Sequence, residues 1–172
     1  MKTIETDAIE TLLNIIGDVP EYQIVHFLDK EGRLSEMLHA YCLQHNYLYQ
    51  INCVNTATFT HLKEKYQHSP KTVVIQMPLE RRSYKIQARE YQFMFVSLFI
   101  EESLRESFLE KAHAVIRSGG NIIILIEKKE YYQRDSWTAL LEEKLYVSTS
   151  VMDDISEYYD VIISKRMHGW GI

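Results

Sequence analysis

An α/β three-layer sandwich, built on a mostly parallel seven-stranded sheet with an antiparallel C-terminal strand, is the fold class this sequence predicts. Three observations predict it. Short apolar, β-like runs alternate with helical stripes along nearly the whole chain. The longest apolar stretch, "YQFMFVSLFI" (Tyr91–Ile100), has the length of a strand covered on both faces and falls far short of a bilayer span. The last two strand candidates are separated by only about six residues, too few for a parallel crossover, so they should pair antiparallel.

The elements follow in order. Ile4, Ala8, Leu12 and Ile15/Ile16 form a helical stripe that ends near Gly17 and Pro20. Tyr22–Leu28 is a first strand. Leu34, Met37, Leu38, Tyr41 and Cys42 then fall on one helical face, with Ser35 or Asp29 available to cap its start. Leu48–Val54 reads as a second strand, and residues 56–67 as a helix carrying Phe59, Leu62 and Tyr66 inward. "TVVIQM" (Thr72–Met77) is a third strand closed by Pro78, and the polar stretch Glu80–Glu90 leads to the fourth, Tyr91–Ile100. Leu104, Phe108, Ala112 and Val115/Ile116 mark a helix expected to stop at Gly119-Gly120, where positive φ suits a helix end. Asn121–Glu127 is a fifth strand, Trp137, Leu140, Leu141 and Leu145 a last helix, and Tyr146–Met152 and Tyr159–Lys165 the closing pair around "DDISEY".

Composition narrows the classes. A chain of 172 residues with 46% hydrophobic residues can bury a substantial core. One domain over 1–172 is expected, with an N-terminal helix over 1–20, an α/β core over 21–165 and a tail over 166–172. The acidic N-terminal segment reads as a helix and not as a signal peptide, so a cytoplasmic protein without membrane association is expected. A net charge of −5 does not indicate nucleic-acid binding. Cys42 and Cys53 fit neither a disulfide framework nor a CxxC site and read as buried thiols. His39 and His45 are six apart and His61 and His68 seven apart, so neither pair has helical ligand spacing, and no metal is expected.

The order and spacing of these elements resemble the class I, Rossmann-like, S-adenosylmethionine-dependent methyltransferase superfamily, from about Tyr22 to Lys165. The best local match is "HAVIRSGGNIIILIE" (His113–Glu127), similar to the family's approach to strand five. "YQFMFVSLFIEESLRESFLEKA" resembles its strand four and following helix. The resemblance implies S-adenosylmethionine as cofactor, lying across the carboxyl ends of strands one to three. In the family, strand one ends in an acidic residue, a hydrophobe and a G-x-G-x-G turn. Laid ungapped over "IVHFLDKEGRLS", that pattern puts His26 on the acidic position, Leu28 and Lys30 on the first two glycines, and Gly32 on the last. A Cβ at a positive-φ position costs about 1 kcal/mol or more and fills space beside the ligand. The turn is therefore degenerate. Asn52, with Asn55 nearby, stands where a carboxylate would hold the ribose, and Gln76 stands where one would approach adenine. Ser97, at the end of strand four, completes the implied cofactor-contacting set.

No catalytic residue emerges. "VSLFIEE" lacks the proline motif of N-methylating members, and the sequence has no Pro-Cys nucleophile. Glu101 and Glu102 could serve as a base, or favour the N-terminus of the next helix. Arg81, Arg82, Lys85 and Arg89 around Tyr84 read as a solvated connection, or as phosphate contacts beside a stacking aromatic. Lys165, Arg166, His168 and Trp170 read as a tail. Lys30 could meet an anion at the helix start, and His26 is either a proton-transfer group or a buried, hydrogen-bonded histidine. Three functions follow: an S-adenosylmethionine-dependent methyltransferase of unknown acceptor, a non-catalytic binding or dimerisation module of the same fold (which leaves a homo-oligomer open), and an atypical nucleotide- or anion-binding protein.

Overall fold

The computed structural model describes residues 2–167. Its seven strands are β1 (Gln23–Leu28), β2 (Leu48–Cys53), β3 (Thr72–Gln76), β4 (Tyr91–Val96), β5 (Ile116–Glu127), β6 (Tyr146–Met152) and β7 (Tyr159–Arg166). They form one sheet in the order β3-β2-β1-β4-β5-β7-β6. The first five are parallel, and β7 runs antiparallel between β5 and β6. The short turn after β6 forces that reversal, as the sequence predicts.

Helices α1 (Thr6–Ile16), α2 (Arg33–His45) and α3 (Thr56–Lys65) cover one face. Ile9, Leu12, Leu38 and Leu62 seal there against Ile24, Leu28, Tyr49 and Phe95. Helices α4 (Glu102–His113) and α5 (Gln133–Glu143) cover the other, where Phe108, Leu109, Trp137 and Leu141 meet Val25, Phe27, Met94 and Ile124. Both faces of the central strands are thus apolar, as continuous hydrophobic runs require. Between β3 and β4 no helix forms. Residues 77–90 cover the sheet as an ordered connection in which Tyr84 is buried, its hydroxyl bonded to the Leu79 carbonyl at 2.7 Å. Arg89 turns in as well, onto the Gln50 side chain at 3.2 Å, while Arg82 and Lys85 stay exposed. With Tyr84 inside, this stretch has no aromatic free to stack on a base.

Boundaries around β4 and β5 differ from the sequence expectation, and β5 itself begins at Ile116 where the sequence pattern predicts Asn121. Strand β4 ends at Val96, although the Ser97 N–H still bonds the Phe27 carbonyl at 3.2 Å. Helix α4 ends at His113, so Gly119-Gly120 is no helix cap. The pair sits inside β5, at an irregularity in its pairing with β4. Gly119 has φ +81°, and a Cβ on Gly120 would lie 2.8 Å from the Arg117 carbonyl and 3.0 Å from that of Gln92. A bulge with so little room needs glycine as a helix end would, and the two signals read alike in sequence. His168 and Trp170 lie outside the described residues.

Candidate functional site

Strand β1 carries the chain to the carboxyl edge of the sheet, where Leu28 is its last residue and fully buried. The turn is therefore only Asp29–Gly32, and α2 begins at Arg33 with Gly32 as its N-cap. Ser35 caps it from inside the first turn, accepting from the Gly32 N–H at 3.0 Å and donating to the Gly32 carbonyl at 2.8 Å. Gly32 has φ −163°, an extended conformation open to any residue.

The turn is tied to α3. The Asp29 carbonyl accepts from Asn55 Nδ2 at 2.5 Å and from Thr58 Oγ1 at 2.7 Å, while Asn55 Oδ1 caps α3 through the Thr58 N–H. The Glu31 carboxylate receives His61 Nε2 at 2.9 Å and also Lys65 Nζ. Partial burial alone would raise the Glu31 pKa, yet the bonds from Lys65 and His61 bring it below its ordinary value. Four side-chain ties therefore hold the turn against a neighbouring helix.

Beneath the turn lies a buried polar chain. His26 is 1% exposed, with Nδ1 2.8 Å from the Tyr49 hydroxyl and Nε2 2.7 Å from Ser97 Oγ. Burial lowers the His26 pKa to about 3, so the ring is neutral near pH 7. Burial also pushes the Tyr49 pKa well above its ordinary value. The neighbouring thiols are likewise inert, since burial raises Cys42 and Cys53 to about 12.

An N-terminal strap forms the roof. Ile4, 5% exposed, packs into the same core cluster as Leu34, Leu125 and Tyr159. The Tyr159 hydroxyl donates to the Lys2 carbonyl at 2.6 Å. Glu5 accepts from Ser156 Oγ at 2.6 Å and from the Glu157 N–H at 2.8 Å. Between strap, turn and floor remains a cleft of about 110 Å³.

His26, Lys30, Gly32 and Ser97 line that cleft together. Leu28, Asn52 and Gln76 do not. Leu28 belongs to the core below it. Asn52 pairs in register with Phe27 and so faces the opposite side of the sheet from His26, accepting from Gln50 Nε2 at 2.8 Å. Gln76 bonds Thr56 Oγ1 at 2.7 Å at the start of α3. Sequence reasoning missed Tyr49, whose parity on β2 puts it on the face of His26, and the cleft-lining Lys2 and Arg33. Among the described residues no group of three or more His, Cys, Asp or Glu side chains is placed to hold a metal ion, and no helix is long and apolar enough to cross a membrane.

No family model matches the chain, and no curated protein matches it in sequence. Solved structures do. A TehB-like SAM-dependent methyltransferase from Corynebacterium glutamicum superposes with a TM-score of 0.73 at 11% identity, over 94% of this chain and 89% of that one. A SAM-dependent O-methyltransferase from Thermotoga maritima gives 0.74 at 7% identity, over 100% and 69%. The N-methyltransferase NodS from Bradyrhizobium japonicum gives 0.69 at 10%, over 93% of both. This chain has the class I methyltransferase fold.

In a methyltransferase fold the carboxyl edge of β1, β2 and β3 is where the resemblance places S-adenosylmethionine. The residues found there do not match that ligand. The cleft of about 110 Å³ is smaller than the roughly 300–1,000 Å³ of ordinary small-molecule sites. The side chain at the ribose position is turned through the sheet, and the turn that should pass under the cofactor is fastened to α3.

Proposed function

We propose that this chain is a non-catalytic member of the methyltransferase fold, a binding module in which the S-adenosylmethionine seat is closed. The observation that carries the reading is the fastening of Asp29 and Glu31 to α3, which narrows the space at the end of β1 to the small cleft above His26.

Calorimetric and thermal-shift titration with S-adenosylmethionine and S-adenosylhomocysteine tests it. A ligand at about 100 times its Kd stabilises by about 2.7 kcal/mol, an effect easily seen. Silence with both nucleosides is expected, and saturable binding of either overturns the reading.

One observation favours a second reading, a S-adenosylmethionine-dependent methyltransferase of unknown acceptor. The cleft shares Ser97, Leu125 and Tyr159 as walls with a hollow of about 80 Å³ beside Phe99 and Trp137. The Tyr159 hydroxyl is bonded to the Lys2 carbonyl, so lifting the strap would free part of the wall that the two share. Under this reading a chain lacking residues 1–5 gains affinity for the cofactor; under the first it stays silent.

A further inference from the structure

The buried chain Tyr49–His26–Ser97 has a direction. Tyr49 is fully buried, and among the described residues its hydroxyl has His26 Nδ1 as its only hydrogen-bond partner. If Nδ1 carried the ring proton, the tyrosine proton would be left without an acceptor, at a cost of about 1–3 kcal/mol. The satisfied arrangement is the other one. Tyr49 donates to Nδ1, the neutral ring keeps its proton on Nε2, and Nε2–H donates to Ser97 Oγ. The Ser97 hydroxyl then has its own proton to give, and Ser97 lines the cleft.

Two cations stand in the lining beside that donor. Lys30 and Arg33 line the cleft, and among the described residues neither forms an ion pair; the Lys2 ammonium lies instead over the Tyr158 ring, 5.5 Å from its centroid. Of the two carboxylates in the lining, Glu31 is already held by His61 and Lys65, leaving Asp29 as the opposing charge. A floor donor beside two unpaired cations and one carboxylate favours an anion that accepts hydrogen bonds. Size restricts it further. A dry cavity of about 150 Å³ admits benzene, so the cleft of about 110 Å³ takes about four or five heavy atoms.

We infer that the cleft under the N-terminal strap is a site for a small oxyanion, a short carboxylate or a phosphate, bound by the Ser97 hydroxyl together with Lys30 and Arg33. His26 and Tyr49 are positioning residues that aim the hydroxyl. The inference rests on the closed-seat reading in one respect: the small ligand stands where the large one does not fit.

The test is an NMR titration of amide shifts with sodium acetate and with sodium phosphate, at ionic strength held constant with chloride. Saturable shifts at Lys30, Arg33, Leu34 and Ser97 are expected, and the anion that saturates first identifies carboxylate or phosphate as the natural chemistry. Ser97→Ala weakens binding about tenfold, the worth of one hydrogen bond to a charged group. Lys30→Ala and Arg33→Ala are exposed changes that leave the fold intact and weaken it severalfold. Nitrogen-15 shifts of His26 read the tautomer directly: the proton sits on Nε2, and Tyr49→Phe both redistributes it and weakens anion binding from outside the cleft. Shifts that never saturate and that chloride reproduces overturn the site, and a proton on Nδ1 overturns the relay. Saturation of the same amides by S-adenosylmethionine overturns the closed seat instead, whereas silence toward acetate, phosphate and the nucleosides alike sinks the oxyanion site alone.

Discussion

Two glycine-bearing segments lie at opposite ends of the sheet and obey different rules. At the carboxyl edge, Gly32 is the one glycine of a turn in which the resemblance asks for three. Its backbone is extended, and a Cβ built on it would meet nothing within 4 Å. At the far end, in the β5 bulge, Gly119 holds φ +81° and Gly120 has the Arg117 carbonyl and the Ile116 side chain 2.8 Å from where a Cβ would stand. Glycine in the bulge is demanded by the protein's own packing. Glycine in a cofactor turn is demanded by the ligand, and without that ligand nothing in the fold holds it in place.

The contrast can be broken experimentally. At neutral pH the largest effect is expected for Gly120→Ala, where overpacking against backbone costs about 2–3 kcal/mol, read as a fall in the denaturation midpoint at unchanged slope. An unaffected midpoint would undo the packing argument. Acid should act next at the carboxyl edge. The folded-state pKa of His26, about 3, lies below the ordinary 6.5, so the unfolded chain takes up the proton first. The corresponding stability is fully present above about pH 6.5 and drains away toward pH 3, by about 1 kcal/mol per pH unit. His26→Gln should remove that slope; if the slope persists in the variant, His26 is not its source.

Gly119→Ala comes third, at about 1 kcal/mol for a Cβ at positive φ. Asn55→Ala removes both the α3 cap and a tie to Asp29, and should cost about 1 kcal/mol while speeding amide exchange across Asp29–Gly32. Exchange unchanged in that turn would show that the tie does not hold it. The smallest effect belongs to Gly32→Ala, expected within about 0.5 kcal/mol of the parent. A large loss there would mean that the turn needs glycine after all, and would revive the ordinary cofactor seat.

Much of the fold was legible because its signals are local. Periodicity located α2 through Leu34, Leu38 and Cys42, and the brevity of "DDISEY" announced the reversal of β7. The β5 boundary was misread because a glycine pair after an apolar helix looks the same whether it ends that helix or kinks a strand. At the site, the ungapped overlay put His26 on the acidic position and thereby in the cleft, yet the same overlay set Leu28 on a turn glycine when it belongs to β1. Asn52 was chosen by position along the chain, and its side chain lies across the sheet from the cleft.

Sequence by itself determined the order of the elements, the antiparallel ending and the poverty of glycine at the first turn, since each depends on residues near one another in the chain. Tertiary structure alone decided what occupies the carboxyl edge. The fastening of Asp29 joins residues 26 and 29 apart in the chain, the His26–Ser97 contact 71 and the Tyr159–Lys2 contact 157. Such contacts depend on how packing positions whole elements, and no short stretch of sequence encodes them.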